Sequence, residues 1–327
     1  MKRTKISIAA MLLLFLLAGS VAAAEKGSFN FAIGTSSLGS TMYIMGAPWA
    51  KVITDHVPNA VASVQSTAGA SANVQLIEAG ELKLAFASNA AAYDGWHGIG
   101  WARGQKYQKL RMLFPIYSAY WEMITLSPEI QKIQDIVGHS VSVGGQPGAT
   151  SDIVIRDCMA VMGFEPGAIQ YITTSNGVNY LKDGRIDAVA FVMAIPTSYI
   201  MDLETSHKVR LVDIDREDID RICQAKPYYS PAIIPAGTYK HEPEDVDTIV
   251  LWTFAVADKD IPEETVYQMV KAVYENTESF AMAHSAGKNM KPEDVLNAAI
   301  PLHPDAVRYY REIGLDISDK LLPPEMQ

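Results

Sequence analysis

The sequence predicts an α/β protein of two lobes joined by a hinge, with a polar ligand cleft between them. Three observations carry this prediction. Strand-like and helix-like segments alternate, which is the mark of parallel βαβ units. The order of segments runs twice, once from Phe29 and again from Val141. Each run has a Gly/Ser/Thr-rich junction between its first strand and the helix that follows: GTSSLGST, Gly34 to Thr41, and GGQPGATSD, Gly144 to Asp152.

The chain of 327 residues opens with Lys2, Arg3 and Lys5, an apolar run from Ile6 to Leu17, and Ala22-Ala23-Ala24. This is the layout of a secretory signal peptide, residues 1–24, cut near Ala24; the apolar run is short for a membrane span. The 303 residues left suggest about two domains at roughly 150 residues each. Losing the three leader cations takes the formal charge from −10 to −13. An acidic exported chain excludes nucleic acid as a partner, because phosphates repel it. The two cysteines, Cys158 and Cys223, do not make a disulfide framework. Cys158 lies in SDIVIRDCMAVMGF, a helical pattern in which a buried free thiol is expected.

In the first lobe, Phe29 to Ile33 reads as a strand and Thr41 to His56 as a helix, with Gly46 and Pro48 disturbing its early turns. Ala60 to Gln65 is a second strand, Ser71 to Glu78 a helix closed by Gly80, and Leu84 to Ala87 a third strand ending at Ser88-Asn89. In the second lobe, Val141 to Val143 is a strand, and Ser151 or Asp152 is placed to cap the helix running to Met162. Ile169 to Ile172, a helix ending at Asn179 to Lys182, and Ala188 to Val192 complete the repeat. GELKLAFA from Gly80 and GRIDAVAF from Gly184 share one plan: Gly, a charge, an aliphatic, a charge, then a small apolar strand. Arg111 to Leu126 reads as a crossing between lobes, Thr248 to Ala257 as a returning strand, and Pro262 to Phe280 as one long helix. The first lobe is therefore expected at 25–117 and 249–327, and the second at 118–248, with two linkers forming a hinge.

The glycine-rich junctions sit at the carboxyl edge of a parallel sheet, where ligands bind. Glycine lets the backbone come close to a ligand, and free N–H groups at a helix start, with hydroxyls, bind anions. The candidate ligand residues are Thr35, Ser36, Ser37, Thr41 and Tyr43, with Thr67 after the second strand and Ser88 and Asn89 after the third. Gly148, Thr150 and Ser151 face them from the second lobe, with Met193 and Ala194 at its matching strand end. The expected role is hydrogen bonding to a small carboxylate, with Tyr43 also packing on the ligand.

Signatures of catalysis and of metal or cofactor binding are missing. No two of the seven histidines stand three to five residues apart, so zinc spacing is absent. There is no GxSxG elbow and no GxxxxGK[ST] loop. GIGWARG, Gly98 to Gly104, follows no strand and reads as a turn, and DIDREDID, Asp213 to Asp220, as a solvated helix start. Tyr93, Trp96, Trp101, Tyr117, Tyr120 and Trp121 read mainly as core and interlobe packing. No catalytic residue, metal or cofactor is assigned. An enzyme on the same two-lobed frame and a binding protein reporting to a chemoreceptor are the competing readings.

Five segments in order resemble the TAXI family of extracytoplasmic solute receptors, which serve TRAP-type transporters. Gly39, Ser40, Thr41, Met42 and Tyr43, followed by Gly46, resemble that family's G-G-T-Y-Y start. IVGHSVSVGGQPGATSD and LKDGRIDAVAFVMAIP resemble two internal segments; YYSPAIIPAGTY and IPLHPDAVRYYREIG are the most specific matches. The sequence departs at Ser40, Met42, Lys83, Ala149, Thr150, Ser151 and Asp152, which redistributes hydroxyls around the proposed cleft. The resemblance implies a type II periplasmic-binding fold, a monomer without catalysis in the periplasm, a glutamate-like small carboxylate or acidic amino acid as solute, and an inner-membrane TRAP permease as partner.

Overall fold

The computed structural model describes residues 29–327; the signal-peptide reading over residues 1–24 lies outside the described residues. One ten-stranded sheet runs through the molecule. Its first end is β1 (Phe29–Gly34), flanked in parallel by β2 (Ala60–Gln65) and β3 (Leu84–Ser88). Its second end repeats the arrangement with β5 (Ser140–Ser142) between β6 (Ala168–Gln170) and β7 (Ala188–Met193). Two long strands lie between these ends, β4 (Leu110–Thr125) and β10 (Val246–Asp258). β10 runs antiparallel to β3, β4 runs antiparallel to β7, and the two long strands pair with each other. Each lobe thus has the strand order second, first, third, crossing strand. β8 (Arg210–Leu211) and β9 (Ser230–Ile234) add to β4 and β10 in the second lobe.

The helices form where apolar periodicity begins after a cap. In the first lobe α1 (Thr41–His56) starts at Ser40, whose hydroxyl accepts from the Tyr43 N–H at 3.2 Å. α2 (Ala70–Ala79) ends on Gly80 at φ +78°, a left-handed position natural to glycine, and α3 (Asn89–His97) starts from a Ser88 cap. The second lobe holds α4 (Thr150–Met162), α5 (Thr174–Lys182), α6 (Ser198–Leu203) and α7 (Arg216–Ala225). After β10 the chain returns to the first lobe through α8 (Glu263–Glu275), α9 (Thr277–Ala283) and α10 (Pro304–Glu312). There the Met112 N–H donates to the Pro301 carbonyl at 3.1 Å.

Two expectations need correction. Pro262 to Phe280 is two helices, because the Asn276 side chain donates to the Ala272 carbonyl at 2.8 Å and takes the place of a helical partner. Neither Ser151 nor Asp152 caps α4: the cap position is Ala149, without a side-chain bond, and both residues lie inside the first turn. The expected crossing over Arg111 to Leu126 is a single strand. Pro115, which lacks an N–H, sits at a register irregularity where β4 and β10 slip past each other. The boundaries expected at 117/118 and 248/249 fall inside these two strands. Cys158 is buried, and both cysteines are free.

A carboxyl group is buried where β4 meets β7. Glu122 is 1% exposed; the hydroxyls of Tyr239 and Thr197 donate to its two oxygens, and the Thr197 N–H donates to the Tyr239 hydroxyl at 2.7 Å. Burial pushes its pKa up from 4.5 to about 7. An acid raised in this way is penalised when ionised. Its cost to the fold is absent below about pH 4.5, grows between there and about 7, and is complete above. Glu122→Gln keeps the shape and removes the charge. Thermal melts across this window should show wild type losing about 2–3 kcal/mol relative to the variant as pH rises. Parallel curves for the two proteins would refute the assignment.

Candidate functional site

A cavity of about 200 Å³ opens between the lobes at the carboxyl edge of the sheet. The first lobe lines it with Ser36, Ser37, Ser40, Thr41, Met42 and the turn Thr67 to Ala70. The second lobe contributes Gly144 to Gln146, Ala149 to Ser151, Thr173 and Thr174. Its floor is Tyr117 on β4 and Ala190 to Met193 on β7.

Four helix starts reach this one cavity: α1 at Ser40-Thr41, α2 at Gly69-Ala70, α4 at Ala149-Thr150 and α5 at Thr173-Thr174. Ser40 and Thr173 cap their own helices with their hydroxyls. Gly69 and Ala149 make no side-chain cap bond, which leaves one helix per lobe with its first N–H groups free of a side-chain acceptor. Each helix start carries about half a positive charge. Among the described residues, no lysine, arginine, aspartate or glutamate lines the cavity. Its potential is therefore set by backbone dipoles and hydroxyls.

The loops are held by buried polar groups. Gly34 leaves room for Asn73: a Cβ there would lie 2.8 Å from the Asn73 Oδ1 and 2.5 Å from Leu82. Asn73 is fully buried and donates to the Thr35 carbonyl at 2.7 Å and the Phe86 carbonyl at 2.8 Å, tying the end of β1 to β3. Thr67 Oγ1 lies 3.0 Å from the Thr35 carbonyl and 2.7 Å from Asn73 Oδ1, and accepts from the Gly69 N–H. In the second lobe the Gly145 N–H donates to the Ile172 carbonyl at 2.9 Å, and the Ser151 hydroxyl donates to the Val143 carbonyl.

Among the residues expected from sequence, Ser36, Ser37, Thr41, Thr67, Thr150, Ser151 and Met193 line the cavity. Thr35 lies beneath it, fully buried, its hydroxyl spent on the Gln65 carbonyl at 2.8 Å. Tyr43 is half-buried further along α1 and Ala194 is buried beyond the floor; neither is in the lining. Ser88 is a buried cap whose hydroxyl accepts from the Ala91 N–H and from the Thr150 hydroxyl at 3.1 Å, a bond between lobes. Asn89 donates to the Asn297 carbonyl at 2.7 Å. Gly148 faces Ser71 of the first lobe at a neighbouring cavity.

Sequence reasoning missed Gly69, Tyr117, Thr173, Thr174 and Phe191 as lining residues. The repeat held a signal for two of them. Thr173-Thr174 follows β6 as Thr67 follows β2, so selecting Thr67 should have brought its counterpart. Tyr117 could not be placed from sequence; it lies on the floor, 5% exposed, where burial holds its phenol well above the usual range.

The chain matches the NMT1-like family over residues 33–314 and belongs to that family. Solved structures with the same fold include an ancestral arginine-binding protein bound to arginine, 15% identical over 78% of this chain and 96% of that one, with a TM-score of 0.50. The periplasmic binding protein BugD is 13% identical over 88% and 96%, with a TM-score of 0.52. A structure described with glutathione import via GshT and the cystine ABC importer TcyBC of Streptococcus mutans is 12% identical over 80% and 96%, with a TM-score of 0.51. The fold is that of type II periplasmic solute-binding proteins. No helix among the described residues is long and apolar enough to cross a membrane.

Gly148 tests whether the lobes must meet. Its φ is +83°, and a Cβ would come 2.5 Å from Ser71 Oγ across the lobe boundary. Gly148→Ala should cost about 1 kcal/mol in backbone strain and leave a folded protein that is measurably less compact by small-angle scattering. A variant as compact as wild type would show that this contact does not control closure.

Proposed function

We propose that this protein is a periplasmic receptor that binds a small carboxylate between its lobes and delivers it to a membrane permease, without catalysis. The observation that carries the reading is the cavity itself. Four helix starts and a ring of hydroxyls converge on it, while no lysine, arginine, aspartate or glutamate among the described residues lines it. Such a site favours an anion, with each helix start contributing up to about 2 kcal/mol in a partly buried geometry. About 200 Å³ suits one small metabolite, below the roughly 300–1,000 Å³ typical of drug-sized ligands.

The lining also orders the candidates. The arginine-binding relative takes a cationic amino acid; this cavity has no carboxylate to receive a cation. An α-ammonium group would find only hydroxyls and carbonyls. A carboxylate without an amine therefore fits better than an acidic amino acid, which is the narrower solute expected from the family resemblance. The TAXI-like segments support a TRAP-type permease as the partner and a monomeric receptor. The lobe division at 117/118 within β4 and at 248/249 within β10, with a hinge there, belongs to the same reading.

Binding to the folded form alone must raise the melting temperature, by about 2.7 kcal/mol of stability at a hundredfold excess over Kd. A thermal-shift screen of dicarboxylates, 2-oxo acids, amino acids and neutral sugars should give its largest shift with an amine-free acid. A shift from sugars or cationic amino acids and none from acids would overturn the reading. With the best acid, Ser37→Ala and Thr174→Val, at lining hydroxyls not committed to another group, should each weaken binding by about 1–3 kcal/mol in titration calorimetry. Unchanged affinity in both variants would remove these residues from the site. Turnover of any bound acid would replace the receptor reading with an enzyme.

A further inference from the structure

The hydroxyls that line the cavity fall into two groups, according to whether the protein itself uses them. Thr150 donates to Ser88 across the lobe boundary, Ser151 donates to the Val143 carbonyl, and Thr67 is held between the Thr35 carbonyl and Asn73. Ser40 and Thr173 accept from the N–H groups of Tyr43 and Asn176 as helix caps. These five keep the loops in shape. Ser36, Ser37, Thr41, Thr174 and Tyr117 line the same cavity, and their hydroxyls bond to no described residue. The first four stand on loops or helix starts. Tyr117 does not.

Tyr117 lies within β4, opposite Thr253 of β10, in the ladder that both lobes share. Its side chain is enclosed except where it forms the cavity floor. Two hydroxyls stand close to it, those of Thr253 and of Thr41 at the start of α1. It hydrogen-bonds to neither, although a phenol in so enclosed a place normally finds a partner. Burial keeps this phenol protonated at neutral pH, so its proton is there to be given. The floor of an otherwise well-paired site therefore carries one rigid donor with no acceptor.

We propose that Tyr117 is a binding residue for the solute, donating its O–H from the cavity floor to an oxygen of the solute's carboxylate. That the acceptor is a carboxylate rests on the receptor reading; the unspent donor does not. A hydrogen bond to a charged acceptor is about twice as strong as one between neutral groups. Here it breaks no bond within the protein. It also orients the solute. A carboxylate drawn to the floor enters first, and the rest of the molecule is left against the walls, where Ser36, Ser37 and Thr174 have hydroxyls to offer. The donor stands on the strand common to both lobes, so it meets the solute independently of the loops that each lobe brings.

Tyr117→Phe removes one oxygen and keeps the ring. The test uses the whole purified protein freed of solute, with pyruvate and succinate as probes, read by thermal shift and by titration calorimetry. Without probe the variant should melt at or above the wild-type temperature, because no group in the protein loses a partner. With either acid that stabilises wild type, the variant should need about ten- to a hundredfold more of it for the same effect. A variant that melts below wild type without probe shows the hydroxyl bonded inside the protein, to Thr253 or Thr41, and overturns the assignment. A variant that binds a stabilising acid as tightly as wild type overturns it as well. A wild type indifferent to both acids also overturns it, and the wider solute screen then decides the receptor reading separately.

Discussion

The pairing of β4 with β10 is the constraint on which the rest of the molecule depends. Each strand belongs to both lobes, and their ladder runs from Leu110 against Asp258 to Tyr120 against Val250. Because β10 also pairs with β3, and β4 with β7, one ladder fuses two half-sheets into a single sheet. Its ends are fixed by buried polar contacts. Thr248 donates to the Trp121 carbonyl at 2.7 Å. At the other end Arg111, 2% exposed, donates to the carbonyls of Gln108 and Leu110 at 2.8 Å and pairs with Glu325 near the C-terminus. The register shifts near Pro115, and a β-bulge is the local structure that lets a strand slip without losing its partner.

From that ladder the position of the cavity follows. The parallel trios on either side end at the same edge, so helices leaving them begin around one space. What keeps those helix starts in place differs between lobes. In the first lobe Asn73 satisfies two carbonyls that a strand end would otherwise leave bare, and the small volume of Gly34 admits it. In the second lobe the loop is held by its own backbone and by Ser151. Buried polar groups are costly unless paired, and paired ones fix a single arrangement. Main-chain N–H groups at a helix start cannot reorient on their own, so their direction at the cavity depends on that rigidity.

The charged groups between the lobes lie elsewhere. Asp94, Asp152, Asp157, Arg156 and Lys226 sit around the neighbouring cavity and the contact of α3 with α4.

The sequence by itself determined the alternation of elements, the repeated plan, the two glycine-rich junctions and the two crossing segments, because these are local. Periodicity, caps and turn residues are properties of neighbours along the chain. It also located most of the hydroxyl residues that line the cavity. It did not show that Pro262 to Phe280 breaks at Asn276, since either outcome satisfies the same apolar pattern and only the side-chain bond to Ala272 decides it. It did not place Tyr117 on the cavity floor, assign Asn73 to the strand ends, or bring Tyr228 and Tyr229 onto Asp157. Those residues meet across separations of tens to more than a hundred positions. Their contacts exist only once the tertiary fold has brought them together.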